Sequence, residues 1–209
     1  YEEQKTFLEK YPSIDCFFEF EGEMAFIEMF KALQKIDFDW NRFKIERQTV
    51  PSIRYLTDGD LVVAELMPQV TDLDSLPSPH LSGISDKFYD GVLVPMMQTA
   101  RGCPYACTFC TEGGSYFQKV KRFSRERIEA ELKYIVERVK VNDLMIVDAN
   151  FGMFKEDLET THMLAELKEK YNWPKCVIAA TAKNNKKRII EIVNVLGSNT
   201  MAPDRKSVV

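Results

Sequence analysis

The chain has 209 residues, of which 45% are hydrophobic and 29% charged, and its formal net charge is −4 at pH 7. These values are ordinary for a globular protein with one sizeable core, or one domain and part of another. The acidic balance argues against a general nucleic-acid-binding protein, and no apolar run reaches the length of a membrane span. Five cysteines and no visible signal peptide argue against a disulfide-stapled secreted domain, so we expect a reducing cytoplasm.

Residues 1–40 have the pattern of the end of an α/β unit. A helix-prone segment at 1–11 precedes a mostly apolar, β-prone run at 14–20 that is typical of a buried strand. An acidic turn at 21–23 then begins a helical pattern. The apolar positions of this helix recur at helical spacing, and we expect them to face a core: Met24, Ile27, Phe30 and Leu33.

Residues 41–91 have the composition of a linker that contains a β-hairpin. Two β-prone runs, 52–56 and 61–65, flank an Asp-Gly pair, which is a strong hairpin signal. The proline-containing stretch at 73–80 predicts an extended, stiffened connector. His80 ends that stretch beside a proline, and we expect it to be a surface residue.

From residue 92 onward the pattern alternates between strands and helices. Predicted strands cover 92–99, 144–147 and 176–180, and predicted helices cover 125–140, 156–171 and 186–196, the first of them capped by Ser124. Such alternation predicts βα units and a parallel sheet or barrel. Chemistry in these folds lies at the carboxyl ends of the strands, so we expect the loop after the first strand to meet the loops at 148–150 and 181–185.

Three cysteines lie in the loop after the first predicted strand: Cys103, Cys107 and Cys110, at the spacing C-x3-C-x2-C. Three thiolates within eight residues fit neither one helix face nor one strand face, and this predicts a loop folded around a compact inorganic centre. A [4Fe–4S] cluster is held by cysteine thiolates, usually four. Three local ligands therefore predict a cluster with one iron open to a small molecule.

A structural zinc site is the alternative to a cluster, and it needs four ligands in two pairs. The remaining cysteines and histidines form no second pair: Cys16, Cys176, His80 and His162. We expect Cys176 to be a small core residue inside its strand. We expect His162, in the middle of a predicted helix, to lie at the helix surface or the edge of the core.

The cysteine spacing, with Phe109 just before the last cysteine, resembles the radical S-adenosylmethionine (SAM) superfamily. The resemblance implies that Cys103, Cys107 and Cys110 hold a [4Fe–4S] cluster whose open iron takes the amino and carboxylate groups of SAM. An electron from the cluster then cleaves SAM to a 5′-deoxyadenosyl radical, which abstracts hydrogen from a substrate. A small-molecule substrate and a reductant such as flavodoxin or ferredoxin are the implied partners.

The resemblance also implies residues that contact SAM. They are Phe109, beside the last cysteine, and Asp148 and Asn150, where relatives of the cobalamin-dependent type carry an Asp-rich loop. Acceptor oxygens suit the SAM ammonium group. The alternative is a loop that only caps the helix after it. No catalytic residue is identified from the sequence.

Two stretches before the cysteines resemble the radical SAM class that carries a cobalamin-binding domain. The turn Phe20–Glu21–Gly22–Glu23 resembles the Gly-Glu-Gly-Glu-like turn after the last strand of that domain, with the first glycine absent. The stretch at 73–79 resembles a Leu-Asp-x-Leu-Pro-x-Pro segment. The resemblance places Glu21, Gly22 and Glu23 near cobalamin in the full-length protein, although acids at a solvated helix N-terminus explain them equally.

The fold implied is α/β, with three parts. Residues 1–40 are the C-terminal remnant of a Rossmann-like cobalamin-binding domain, 41–91 are the linker, and 92–209 are the first three to four βα units of a (β/α)6 radical SAM barrel. The start at Tyr1 and the short polar ending at 199–209 lead us to expect an incomplete polypeptide that is inactive alone.

The function implied is a radical SAM reaction, most simply cobalamin-linked methyl transfer or a related radical reaction. One alternative is a tRNA methylthiotransferase-like enzyme, which would carry more cysteines upstream, where only Cys16 stands. Another is a non-catalytic iron–sulfur protein for electron transfer or sensing. A basic group after the cysteines could meet RNA or phosphate, but in a net acidic chain we expect a solvated face or an anchor for an anionic cofactor: Lys119, Lys121, Arg122, Arg125 and Arg127.

Overall fold

The computed structural model describes residues 2–182 and 185–203. Contacts within the chain define two compact units, 1–70 and 71–209. None of the helices in the described ranges has both the length and the apolar character that a bilayer crossing requires. The expected loop at 181–185 falls partly on residues 183 and 184, and the predicted polar ending falls partly on 204–209, all of which lie outside the described residues.

The first unit contains a three-stranded antiparallel sheet. Its elements in chain order are α1 (Glu2–Lys10), β1 (Cys16–Phe18), α2 (Glu23–Gln34), α3 (Trp40–Ile45), β2 (Ile53–Thr57) and β3 (Asp60–Val63). The predicted hairpin is confirmed, with Leu56 opposite Leu61 and the turn residues Asp58 and Gly59 both at positive φ. Since β2 also pairs antiparallel with β1, the hairpin is part of the sheet of this unit.

Aromatic side chains contribute to the core of the first unit. Phe43 and Tyr55 are buried, and Trp40 stacks on Phe43 with ring centroids 4.9 Å apart. The predicted core face of α2 is wrong at three positions, because Met24, Ile27 and Phe30 are exposed. The helix instead turns a neighbouring stripe to the core: Ala25, Met29, Ala32 and Leu33. Its apolar residues cover more than one face, so helical spacing alone admits two stripes.

The second unit contains a four-stranded parallel sheet in the order β4-β7-β8-β9 and a two-stranded ribbon, β5 with β6. Its elements are β4 (Met96–Met97), β5 (Ala100–Arg101), β6 (Lys121–Arg122), α4 (Arg125–Val136), β7 (Asp143–Phe151), α5 (Glu156–Tyr171), β8 (Cys176–Thr181), α6 (Lys186–Leu196) and β9 (Met201–Pro203). The spatial order repeats the chain order, as consecutive βα units require. The predicted bounds of α5 and α6 are confirmed.

Several predicted bounds in this unit are wrong. The strand predicted at 92–99 pairs only at Met96 and Met97. Pro95, just before it, has no N–H to donate to a ladder, although its carbonyl accepts from the Met145 N–H at 3.0 Å. The helix predicted to end at 140 ends at Val136, and β7 continues to Phe151 rather than ending at 147. A short fourth strand forms within the ending that was expected to be polar and irregular, since Val177 pairs in parallel with Met201.

Burial of His80 overturns the expectation of a surface residue. Its side chain is only 6% exposed, with Nδ1 2.7 Å from Tyr89 Oη and Nε2 2.9 Å from the Met96 carbonyl oxygen. A carbonyl can only accept, so Nε2 carries the hydrogen, and in the neutral imidazole Nδ1 then accepts from the Tyr89 hydroxyl. Burial, followed by the nearby Asp86 charge, raises the pKa of Tyr89 to about 12. His80 thus anchors the segment that enters β4.

The proline-containing stretch is also held against α4. Ser78 donates to Glu131 Oε1 at 2.6 Å, and Arg127 donates to the same oxygen at 2.7 Å and to the Leu76 carbonyl at 3.0 Å. Arg127 is therefore a structural residue of this network and not part of a solvated basic face. The stretch is a packed strap, because its polar groups find partners on the helix.

A buried arginine makes three polar contacts within the first unit. The Arg54 side chain is 1% exposed, with Nη1 donating to the carbonyls of Ile53 and Ala64 and Nη2 2.5 Å from Glu19 Oε2. An exposed ion pair in the same unit, Arg47 with Asp60 at 2.9 Å, offers a matched comparison.

We predict that Arg54→Met lowers the free energy of unfolding by about 2–3 kcal/mol, since it leaves Glu19 and two carbonyls without their partner. Arg47→Met should change it little, because exposed ion pairs contribute little. Urea titrations of both variants followed by circular dichroism measure the difference. Equal losses in the two variants would contradict the assignment.

Candidate functional site

The three cysteines of the motif lie in a loop that leaves β5 and returns to β6 through two short 3-10 turns, Thr111–Gly113 and Ser115–Phe117. The loop closes at its base, where the Cys103 N–H donates to the Phe117 carbonyl at 2.8 Å. Two glycines permit this path. A Cβ on Gly102, whose φ is +105°, would lie 2.7 Å from the Phe117 oxygen, and one on Gly113 would lie 2.1 Å from the Cys107 oxygen.

The cysteines differ in exposure along the loop. Cys103 is buried at its base, Cys107 is half-buried, Cys110 is exposed, and all are free thiols. Phe109 is 83% exposed. Within the described ranges, no three Cys, His, Asp or Glu side chains are grouped so that they could hold a metal ion, and this includes the three motif cysteines. The three thiols, with no imidazole or carboxylate among them, are the donor set that a [4Fe–4S] cluster uses.

Asp148 and Asn150 lie inside β7 and not in a loop after it. Pairing between β7 and β8 is interrupted between Ile146 and Phe151, so both residues fall in an irregular part of the strand. Asn150 Nδ2 donates to Cys103 Sγ at 2.9 Å. The structure therefore brings together one residue predicted to contact SAM and one cysteine of the motif.

Asp148 contacts the segment that precedes the cysteines rather than the cysteines. Its carboxylate accepts from the Thr99 N–H at 2.7 Å and from the Thr99 hydroxyl. The side chain is 4% exposed. Burial raises the pKa of Asp148 to about 6, although the hydrogen bonds from Thr99 act in the opposite direction, and the charge of Asp157 adds to the rise.

Asp157 is buried and pairs with the partly buried Arg122, a contact that the sequence did not reveal. Arg122 Nη2 donates to Asp157 Oδ1 at 2.6 Å, while Asp157 Oδ2 accepts from the N–H groups of Gly152 and Phe154, each at 2.9 Å. Asp157 is the second residue of α5, and its carboxylate holds the turn before the helix, whereas the N-cap residue, Lys155, makes no side-chain capping bond. An acid in the first turn of a helix was the available signal.

The basic group after the cysteines does not form one solvated face. Arg122 is paired with Asp157, and Lys121 is buried, whereas Lys119 and Arg125 are exposed. A small cavity of about 10 Å³ lies beside Arg122, lined in part by Gly102, Asp148 and Asn150. It has room for about one water molecule.

The remaining cysteines and His162 stand in other surroundings. Cys16 Sγ lies 3.9 Å from Met29 Sδ in the first unit, and burial, with the nearby Asp15 charge, raises the pKa of its thiol. Cys176 is half-buried at the first residue of β8, opposite Asp143, so it is not the core residue predicted. His162 is exposed on α5, at the helix surface as predicted.

The acidic turn of the first unit is tied to the backbone. Glu21 Oε2 accepts from the Val70 N–H at 2.8 Å, and Gly22 is the N-cap of α2, with Glu23 as its first residue. A Cβ on Gly22 would meet only ordinary contacts. Their proximity to cobalamin stays a prediction.

A parallel α/β sheet and a three-cysteine loop between β5 and β6 are the features to compare with known proteins. The chain is 32% identical over 198 residues to the cobalamin-dependent radical SAM methyltransferase TokK of Streptomyces tokunonensis. It is 30% identical over 192 residues to the 2-(S-pantetheinyl)-carbapenam-3-carboxylate methyltransferase of Streptantibioticus cattleyicolor. The matches cover 90% and 89% of this chain. No family model matches the chain.

A solved structure agrees in fold. The cobalamin-dependent SAM radical enzyme OxsB, with aqua-cobalamin and SAM bound, superposes on 96% of this chain with a TM-score of 0.63 and 18% identity. Over about nine tenths of its length, the chain is thus similar to one part of these cobalamin-dependent and related methyltransferases. It spans 27% of the length of the two curated relatives and 29% of OxsB.

We predict that Asp148→Asn gains stability over the wild type as pH rises. The folded pKa of Asp148 is above its unfolded value, so the stability of the protonated form is present below about pH 4 and lost as pH rises through about 6. The amide of the variant stays neutral while still bonding to Thr99. The difference should grow by roughly 3 kcal/mol between about pH 4 and pH 7. Urea titrations across that range that give parallel curves would contradict it.

Proposed function

We propose that this chain carries the [4Fe–4S] and SAM site of a radical SAM enzyme, acting in cobalamin-linked methyl transfer to a small molecule. The observation that supports this most is the three-cysteine loop between β5 and β6, which follows the first parallel strand β4, with Asn150 donating to the sulfur of Cys103. Methyl transfer rests on what the names of TokK and the carbapenam methyltransferase say of those relatives.

The proposed cluster ligands are Cys103, Cys107 and Cys110. When bound, the cluster supplies the electron that cleaves SAM, chemistry that belongs to the cofactors. The residues of the chain position the three ligands. Gly102 and Gly113 hold the loop in its closed path, and the gradient from buried Cys103 to exposed Cys110 keeps one side of the site accessible.

Three side chains are proposed to meet SAM, with unequal support. Asn150 uses Nδ2 on the Cys103 sulfur, which leaves Oδ1 as an acceptor for the SAM ammonium group. Phe109 exposes most of its ring, so it offers apolar surface for SAM to cover. Asp148 has less support, because both of its oxygens already accept from Thr99.

We propose the same domain assignments that the resemblance implies. The parallel order β4-β7-β8-β9 supports residues 92–209 as the first half of a (β/α)6 barrel. Residues 1–40 are assigned to the end of a cobalamin-binding domain, with Glu21, Gly22 and Glu23 on the cobalamin side and 41–91 as the connector. A flavodoxin or ferredoxin would supply electrons, and a reducing cytoplasm suits an oxygen-sensitive cluster.

We predict that anaerobic reconstitution yields one [4Fe–4S] cluster per chain, and that Cys103→Ser, Cys107→Ser and Cys110→Ser each lose most of its visible absorbance, because each removes one of three thiolates. The matched controls are Cys16→Ser and Cys176→Ser, which should retain the wild-type iron and sulfide content. A control that loses the cluster as fully as the motif variants would refute the three-ligand assignment.

We predict that SAM changes the electron paramagnetic resonance spectrum of the reduced cluster, since it should bind the open iron. Dithionite should then yield 5′-deoxyadenosine or a methylated cobalamin product when the chain is supplied within its full-length protein. A spectrum unchanged by SAM at saturating concentration would instead favour an electron-transfer or sensor protein.

A further inference from the structure

The hydrogen bond from Asn150 to Cys103 joins two residues that are 47 positions apart in sequence. Cys103 is 8% exposed, and it is the buried member of the three motif cysteines. Water therefore has little access to its sulfur from outside. Among the described contacts of this sulfur, the side-chain amide of Asn150 is the donor that the structure provides.

The chemistry of a metal-bound thiolate fixes how this amide must face. A thiolate carries no proton and accepts only, so the NH2 end of Asn150 has to point at the sulfur. A donor on a ligating sulfur stabilises negative charge there, and the reduced cluster carries more of that charge than the oxidised one. Hydrogen bonds to the sulfurs are among the main determinants of iron–sulfur potentials, and they are strengthened where the surroundings are buried.

The position of Asn150 is fixed on both sides along β7. Asp148 is bound through its carboxylate to Thr99, four residues before Cys103. On the other side, Phe151 is fully buried and its carbonyl accepts from the Ala182 N–H at 2.9 Å. The same Asp148–Thr99 contact ties the strand that carries the donor to the segment that carries the acceptor. The amide and the sulfur are thus held in register.

We propose that Asn150 is a positioning residue that orients Cys103 and raises the reduction potential of the cluster through its Nδ2–H to Sγ hydrogen bond. This inference rests on the proposed function, since it needs a cluster on the three cysteines. It is separate from any contact of Asn150 Oδ1 with SAM, because it concerns the protein without SAM. Asn150 acts through Cys103 and not on a substrate.

The test is a redox titration of the reconstituted protein without SAM, followed by electron paramagnetic resonance. Asn150→Leu keeps the approximate shape and removes the donor, whereas Asn150→Ala also lets a water molecule approach. The matched control is Asn194→Leu, the same change at an exposed position of α6. Iron and sulfide contents are measured for every variant.

Asn150→Leu should shift the reduction equilibrium toward the oxidised form by about tenfold, which is about 59 mV for one electron. Asn150→Ala should shift it the same way by less, and Asn194→Leu should not shift it. A wild-type potential in the Leu and Ala variants, at full iron content, overturns the inference and leaves the proposed function standing. If the Leu variant holds no cluster, the Ala variant decides by the same criterion. Failure of the wild type to assemble a cluster overturns the proposed function, and this inference with it.

Discussion

The contact between Asp148 and Thr99 is the constraint on which the candidate site depends. Thr99 lies between the short strand β4 and the ribbon strand β5, where the parallel ladder has already ended. Backbone pairing therefore does not hold this segment against β7, and the buried carboxylate does so instead. Burying that carboxylate opposes its ionisation. The structure tolerates this cost at the point where the cysteine loop begins.

Other buried polar contacts hold the surroundings of the loop in the same way. Arg122 and Asp157 connect the ribbon to the start of α5, and His80 connects the strap to the carbonyl of Met96. Each contact joins segments that are far apart in sequence and have few ladder hydrogen bonds of their own. A loop of three thiols needs such support, because the thiols contribute little to folding until a cluster binds them.

Much of the fold was predictable where local signals were strong. The ends of α5 and α6 were predictable because Pro174 follows α5 and Gly197 follows α6, and these residues terminate helices. The bounds of β4 and β7 were not, since the length of a strand depends on its distant partners. His80 was assigned to the surface from its proline-containing neighbourhood, but Tyr89 and Met96 bury it. In α2 the apolar residues cover two faces, and only packing selects one.

The candidate site was likewise predictable only in part. The cysteine spacing identified Cys103, Cys107 and Cys110 as ligands from sequence, because the signal lies within one loop. Three contacts of the site each join residues that are 35 or more positions apart in sequence: Asn150 with Cys103, Asp148 with Thr99, and Arg122 with Asp157. No local pattern predicts such pairs, because the fold alone brings them together.

The central claim is that three thiolates hold a [4Fe–4S] cluster whose remaining iron is open to SAM. Mössbauer spectroscopy of protein reconstituted with 57Fe tests it most directly, because it resolves the individual irons. The account predicts that SAM changes the isomer shift of one iron site and leaves the other three, each bound by one cysteine, nearly unchanged. Four equivalent sites that do not respond to SAM would contradict it.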